Sequence, residues 1–131
     1  MSEIRAPISV GELIDKLTIL EIKSERITRA GALANVRREL ERLNRIWENS
    51  VLSDQDIDEA RAELKAVNES LWDIEDRIRE KERAVDFGPE FIELARSVYT
   101  QNDRRAAIKR RINIESGSEL IEEKSYVDYQ P

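Results

Sequence analysis

Residues 53–85 read SDQDIDEARAELKAVNESLWDIEDRIREKERAV. Within this stretch Ile57, Ala60, Leu64, Val67, Leu71, Ile74 and Ile78 recur at steps of three and four without a break. The spacing predicts a long helix whose apolar seam follows a 3.5-residue repeat, the pattern of helices that lie alongside other helices. At 1.5 Å per residue the rod runs to roughly 45 Å, and it reads as the axle of an antiparallel bundle. Ser53 is its expected cap. Asp54, Asp56, Asp58 and Glu59 follow where negative charge favours the positive end of the helix dipole.

The flanking segments fit the same architecture. Ser9-Val10-Gly11-Glu12 is a capping box, in which the Ser9 hydroxyl accepts from the third helical amide while Glu12 reaches back. The first helix is expected over about 9–30. Val10, Leu13, Leu17, Leu20 and Ile27 form its stripe, and Ile14, Ile19 and Ile22 lie beside it. A helix apolar on more than one side needs more than one neighbour. Gly31 is the expected left-handed stop. Leu33, Val36, Leu40, Leu43 and Trp47 then mark a second helix over 32–49, and the axle covers 54–85. Asp86-Phe87-Gly88-Pro89 makes a turn, with Pro89 at the first position of a fourth helix over 89–115. Ser116-Gly117-Ser118 closes it, and the tail over 116–131 is expected as an extended arm or short turn. The expected fold is an all-α, elongated antiparallel four-helix bundle in a single domain, 1–131, with coiled-coil-like helices.

Composition excludes several chemistries. The chain has no Cys and no His, which removes thiolate and imidazole catalysis and the usual zinc ligands. No metal or cofactor is expected. The net charge of -6 opposes binding to nucleic acid or anionic membrane surfaces. No apolar run approaches the ~18 residues of a membrane span, and Met1 to Pro7 does not read as a secretory signal. A soluble, cytoplasmic protein is the expectation.

The apolar stripe of the fourth helix is interrupted by Gln101 and Arg105. If helices three and four fold back about the Val85–Gly88 turn, residues at one height have numbers summing to roughly 173, because both helices rise equally per residue. Arg105 then lies level with Asn68, and Gln101 with Trp72. Asn68, Trp72, Glu75, Tyr99, Asn102, Arg105 and Lys109 gather into one polar layer. Its plainer reading is a paired network that fixes register. Its sharper reading is a pocket for a small anionic metabolite, with Arg105 and Lys109 on the anion, Asn68 or Asn102 orienting it, and Trp72 or Tyr99 covering its apolar body. Catalysis there would use Glu75 or Asp76.

Other candidates read as structural. Arg104, Arg105, Lys109, Arg110 and Arg111 form a basic run near a helix C-terminus, with an acidic tail following to neutralise it. Asp73/Asp76 and Glu90/Glu93 have the spacing of the Mg²⁺-binding pairs of helical nucleotide pyrophosphohydrolases. In the hairpin register, however, they stand at different heights. Trp47, Ile19 and Ile22 are surplus apolar groups that, with the heptad pattern, favour a two-fold homodimer.

Several long motifs resemble a known family. They are Ile8-Ser9-Val10-Gly11-Glu12-Leu13-Ile14-Asp15-Lys16-Leu17 through Lys23, and Val67-Asn68-Glu69-Ser70-Leu71-Trp72-Asp73-Ile74-Glu75-Asp76. Leu94 to Asn113, with Tyr99, Asn102-Asp103 and Arg105, and the closing Glu122-Glu123-Lys124-Ser125-Tyr126 complete the set. Together they resemble an uncharacterised bacterial all-helical family catalogued as a domain of unknown function. The resemblance implies a stand-alone helical protein and brings no catalytic residues. A fainter likeness to all-helical chorismate mutases lies in the Glu12-Leu13-Ile14-Asp15 opening and the basic later helices. The expected function is that of a non-catalytic interaction or accessory protein, the anionic-metabolite site being the alternative.

Overall fold

A computed structural model describes residues 2–131. The order is α1 (Val10–Arg26), α2 (Ala30–Glu48), a short 3₁₀ turn (Val51–Asp54), α3 (Asp58–Arg83) and α4 (Pro89–Ser116). The remaining tail is extended and follows Gly117, which closes α4 in the left-handed conformation at φ 73°. The fold is an all-helical bundle.

Cross-helix pairs give the directions. Arg77 meets Glu90 and Arg111 meets Glu63, so residue numbers along the α3–α4 seam sum to a near-constant value and the helices run antiparallel. Arg105 meets Asp15 and Lys109 meets Glu12, which makes α1 and α4 antiparallel as well. α1 packs on α2, α3 and α4, whereas α2 packs chiefly on α1. The hub is therefore the 17-residue α1 and not the long α3, and α4, at 28 residues, is the longest rod.

This explains why α1 is apolar around most of its girth. Ile14, Leu17 and Ile22 are almost fully buried on different sides of it. Ile14 and Leu17 join Val10, Leu13, Trp47, Ile57, Ala60, Leu64, Val67, Ile108 and Ile112 in one core. Trp47 and Ile22, expected as surplus groups for a dimer contact, are buried within the chain.

Several local expectations are corrected. α1 stops at Arg26, where Ile27 turns extended. Gly31 is no stop but lies in the first turn of α2. Ser53 sits in the 3₁₀ turn and bonds Ser50 O at 2.7 Å, so α3 begins later, after Ile57, with Asp56 Oδ1 accepting from the Asp58 N–H. The run of acids at 54–59 thus contains a turn before the helix. α3 closes through Val85, held at φ 54° while the Asp86 N–H reaches back to Lys81 O. Glycine is usual at such a position, because a β-branched side chain is strained there.

The core fills only one end of the bundle. Arg26, the last residue of α1, pairs with Asp73 at 2.6 Å. The last ten residues of α3 and the start of α4 therefore run on without α1 beside them, roughly 15 Å beyond its end. This projecting hairpin is tied by Arg77–Glu90, Lys81–Glu90 and Lys81–Asp86 pairs. It exposes Val85, Phe87 and Ile92.

Candidate functional site

The most constrained polar region is the seam between α1 and α4. Glu12, Asp15 and Thr18 lie at steps of three on α1, and Arg105, Lys109 and Asn113 at steps of four on α4, so each set makes one stripe. The stripes meet antiparallel. Arg105 Nε donates to Asp15 Oδ1 at 3.0 Å, and Arg105 Nη2 donates to Asp15 Oδ2, a bidentate pair. This bond to Asp15 holds the Arg105 pKa above the ordinary guanidinium value, against the opposing effect of burial. Lys109 Nζ donates to Glu12 Oε2 at 2.7 Å and to Glu122 Oε1 at 3.5 Å, with Asp15 Oδ2 3.9 Å away. From α3, Asn68 Nδ2 donates to Asp15 Oδ1 at 2.9 Å and to Thr18 Oγ1 at 3.0 Å. Asp15 is only 1% exposed, so its charge depends on these donors.

Beyond the layer, the start of α1 is capped by Asn113 of α4, by Ser118 just past that helix and by its own Ser9. The Val10 N–H donates to Ser118 Oγ, the Gly11 N–H to Asn113 Oδ1 at 2.6 Å, and the Glu12 N–H to Ser9 Oγ at 3.1 Å. Half of the expected capping box is present, but the Glu12 carboxylate turns to Lys109 instead of back to the cap. Close approach makes this possible: a methyl on Gly11 would lie 2.5 Å from the Lys109 carbonyl oxygen. Glycine is required at position 11 for space and not for its backbone angles.

The seven residues expected to form one site are distributed over three surroundings. Asn68, Arg105 and Lys109 belong to the seam. Trp72 and Glu75 line a groove of about 390 Å³ beside α1, which Asn68 and Arg105 also touch. There Glu75 pairs with Arg79, and Arg26 lies over the Trp72 ring at 5.8 Å. Trp72 and Arg105 therefore face a common space, as the hairpin register requires. Tyr99 and Asn102 lie elsewhere, exposed on the outer side of α4. With Arg105 and Lys109 they line a cleft of about 740 Å³ between α4 and residues 124–129 of the tail.

Sequence reasoning missed Asp15, the centre of the seam, together with the tail wall of the cleft. The signal for Asp15 was present: an acid between Ile14 and Leu17 on a helix apolar on several sides has no solvent face to occupy. The tail offered only its acidity, opposite the basic run of α4, and its position follows from ion pairs with that helix. Lys109 meets Glu122 and Arg110 meets Glu123 at 2.8 Å, so the acidic tail neutralises part of the basic run. Arg111 pairs with Glu63 of α3 and with Glu115. Asp73 and Glu90 are held by cations, and among the described residues no acidic cluster forms a metal site. Among the described residues no helix is long and apolar enough to cross a membrane.

No curated protein and no solved structure matches the chain. Residues 4–129, nearly all of the bundle and its tail, match a family described as a family of unknown function (DUF6165). The motifs that build the α1–α4 seam and the tail wall all lie inside that span, and the chain belongs to this family.

Proposed function

We propose that this chain is a non-catalytic helical accessory protein, cytoplasmic, acting by contact through its projecting α3–α4 hairpin, and that a second copy of the chain docks there as a homodimer. The supporting observation is the hairpin itself. It extends past α1, is tied by exposed ion pairs, and leaves Val85 74%, Phe87 49% and Ile92 55% exposed. Half-buried Phe91 adds to this surface through an edge-on contact with Phe87 at 5.2 Å. Two such hairpins packed together would continue the coiled-coil periodicity and cover the apolar tip. The strained left-handed Val85 sits in the same turn, where backbone strain is tolerated when the surrounding contacts serve function.

Light scattering coupled to size exclusion tests this reading. The native chain is expected at twice its 15.2 kDa mass, and Phe87→Asp with Ile92→Asp at the single mass with unchanged helix content. A native monomer at tens of micromolar would remove the dimer.

The anionic-metabolite reading has a specific obstacle. Arg105 is bound at two nitrogens by Asp15, and Lys109 faces three carboxylates. An anion at either cation must displace a buried or part-buried partner. Glu75, the candidate acid or base, is exposed and paired with Arg79.

A further inference from the structure

All three tyrosines of the chain, Tyr99, Tyr126 and Tyr129, line the single cleft between α4 and the tail. Seven aromatic residues in 131 make that concentration informative: both tryptophans and both phenylalanines lie elsewhere. Tyr99 and Tyr129 stand with ring centroids 4.8 Å apart and planes tilted by 55°. The volume, about 740 Å³, is in the range of small-molecule sites.

The charges around the cleft decide what it takes. Three cations line it, but each is already engaged: Arg105 by Asp15, Lys109 by Glu12 and Glu122, and Lys124 by Glu122 at 3.3 Å. The two carboxylates on the wall, Asp103 and Asp128, have no cationic partner among the described residues; Asp128 only accepts from the Gln130 N–H at 3.0 Å. The carboxylates that engage the three cations, Asp15, Glu12 and Glu122, stand behind the wall, so Asp103 and Asp128 are the lining charges left without a counter-ion, in a chain of net charge -6. Tyrosine faces carry negative electrostatic potential and attract cations, most strongly where water is excluded.

We infer that this cleft is a binding site for a small organic ammonium ion, held by the faces of Tyr99, Tyr126 and Tyr129 and by the carboxylates of Asp103 and Asp128. The site is independent of the α3–α4 hairpin tip and of the contact proposed there. It also reverses the sign that the basic residues of α4 suggest: those cations serve the fold, and the charge left over is negative. The ligand has an ammonium head and an apolar or aromatic body, and it needs no metal.

The tyrosines provide a direct reporter. In the full chain with ¹³C-labelled tyrosine, ring signals are followed while benzyltrimethylammonium chloride is added, against sodium benzoate at matched ionic strength. The ammonium salt is expected to shift all three tyrosines saturably and benzoate to leave them in place. Asp103→Asn with Asp128→Asn, two exposed positions, is expected to weaken the response at least tenfold while the fluorescence of Trp47 and Trp72, neither of which lines the cleft, stays unchanged. Three results would each overturn the inference: no saturable shift with the ammonium salt, an equal or larger response to benzoate, or an undiminished response in the double variant.

Discussion

The α1–α4 seam and the α4–tail cleft share Arg105 and Lys109 yet differ in almost every physical respect. In the seam each charge faces an opposite one inside the bundle, Asp15 is 1% exposed, and backbones approach closely enough to exclude a methyl from Gly11. In the cleft the tyrosine rings are exposed and two carboxylates lack cations. The difference teaches that a cation on one helix can serve the fold on one side and line a binding surface on the other. Its residue type alone does not say which.

The comparison is sharpest for the acids. Asp15→Ala takes its acceptor from part-buried Arg105 and one of two from buried Asn68, and a loss of about 3 kcal/mol is expected. Asp103→Ala, on the exposed side of the same helix layer, is expected to change stability by less than about 0.5 kcal/mol. Urea denaturation of the two variants measures both, and equal losses would break the distinction.

Gly11→Ala is the next largest effect. The added methyl meets backbone, which cannot swing aside as a side chain can, and a loss of about 1–3 kcal/mol is expected for overpacking. Gly31→Ala, in the first turn of α2 with open space around it, is expected to be neutral or slightly stabilising in thermal melts. At the hairpin tip, Val85→Gly relieves a left-handed β-branched residue, and a gain of up to about 1 kcal/mol is expected. A loss there would mean that Val85 packing outweighs the strain.

The smallest effect concerns the tail. Burial alone would raise the Glu122 carboxyl, but the hydrogen bond and charge of Lys124, with those of Lys109, outweigh it and hold the pKa below the ordinary glutamate value. A lowered native pKa means that the tether contributes fully above the unfolded-state value and is lost as the pH falls through the native one. Tyrosine NMR is therefore expected to show the Tyr99–Tyr129 contact intact at neutral pH and released in acid. Glu122→Gln should loosen the tail already at neutral pH while leaving the helical core folded.

How much of this was legible in the sequence depends on the kind of signal. The seam of α3, the turn at 86–89, the Gly117 stop and the antiparallel α3–α4 register all follow from periodicity and turn chemistry, which act locally. The hub position of α1 was half legible: its apolar girth asks for several neighbours, but only packing distinguishes helices of the same chain from those of a second copy. Ser53 and Gly31 misled because a good capping residue and a good stop each lay a few residues from the real boundary, where burial of Ile57 and the extended backbone of Ile27 mark the ends instead. Asn68, Arg105 and Lys109 all reach Asp15, because helix rise fixes height along an axis. Height does not fix which side of α4 a residue faces relative to the tail, so Tyr99 and Asn102 were grouped with Trp72 and Glu75 although they face different spaces.

The central claim is that Arg105 belongs to the fold through Asp15. A double-mutant cycle with Asp15→Asn and Arg105→Gln, read by urea denaturation, tests it most directly. The account predicts a coupling of about 1.5–3 kcal/mol between the two positions. Additive losses, within about 0.5 kcal/mol, would contradict it and return Arg105 to the list of groups free to hold a ligand.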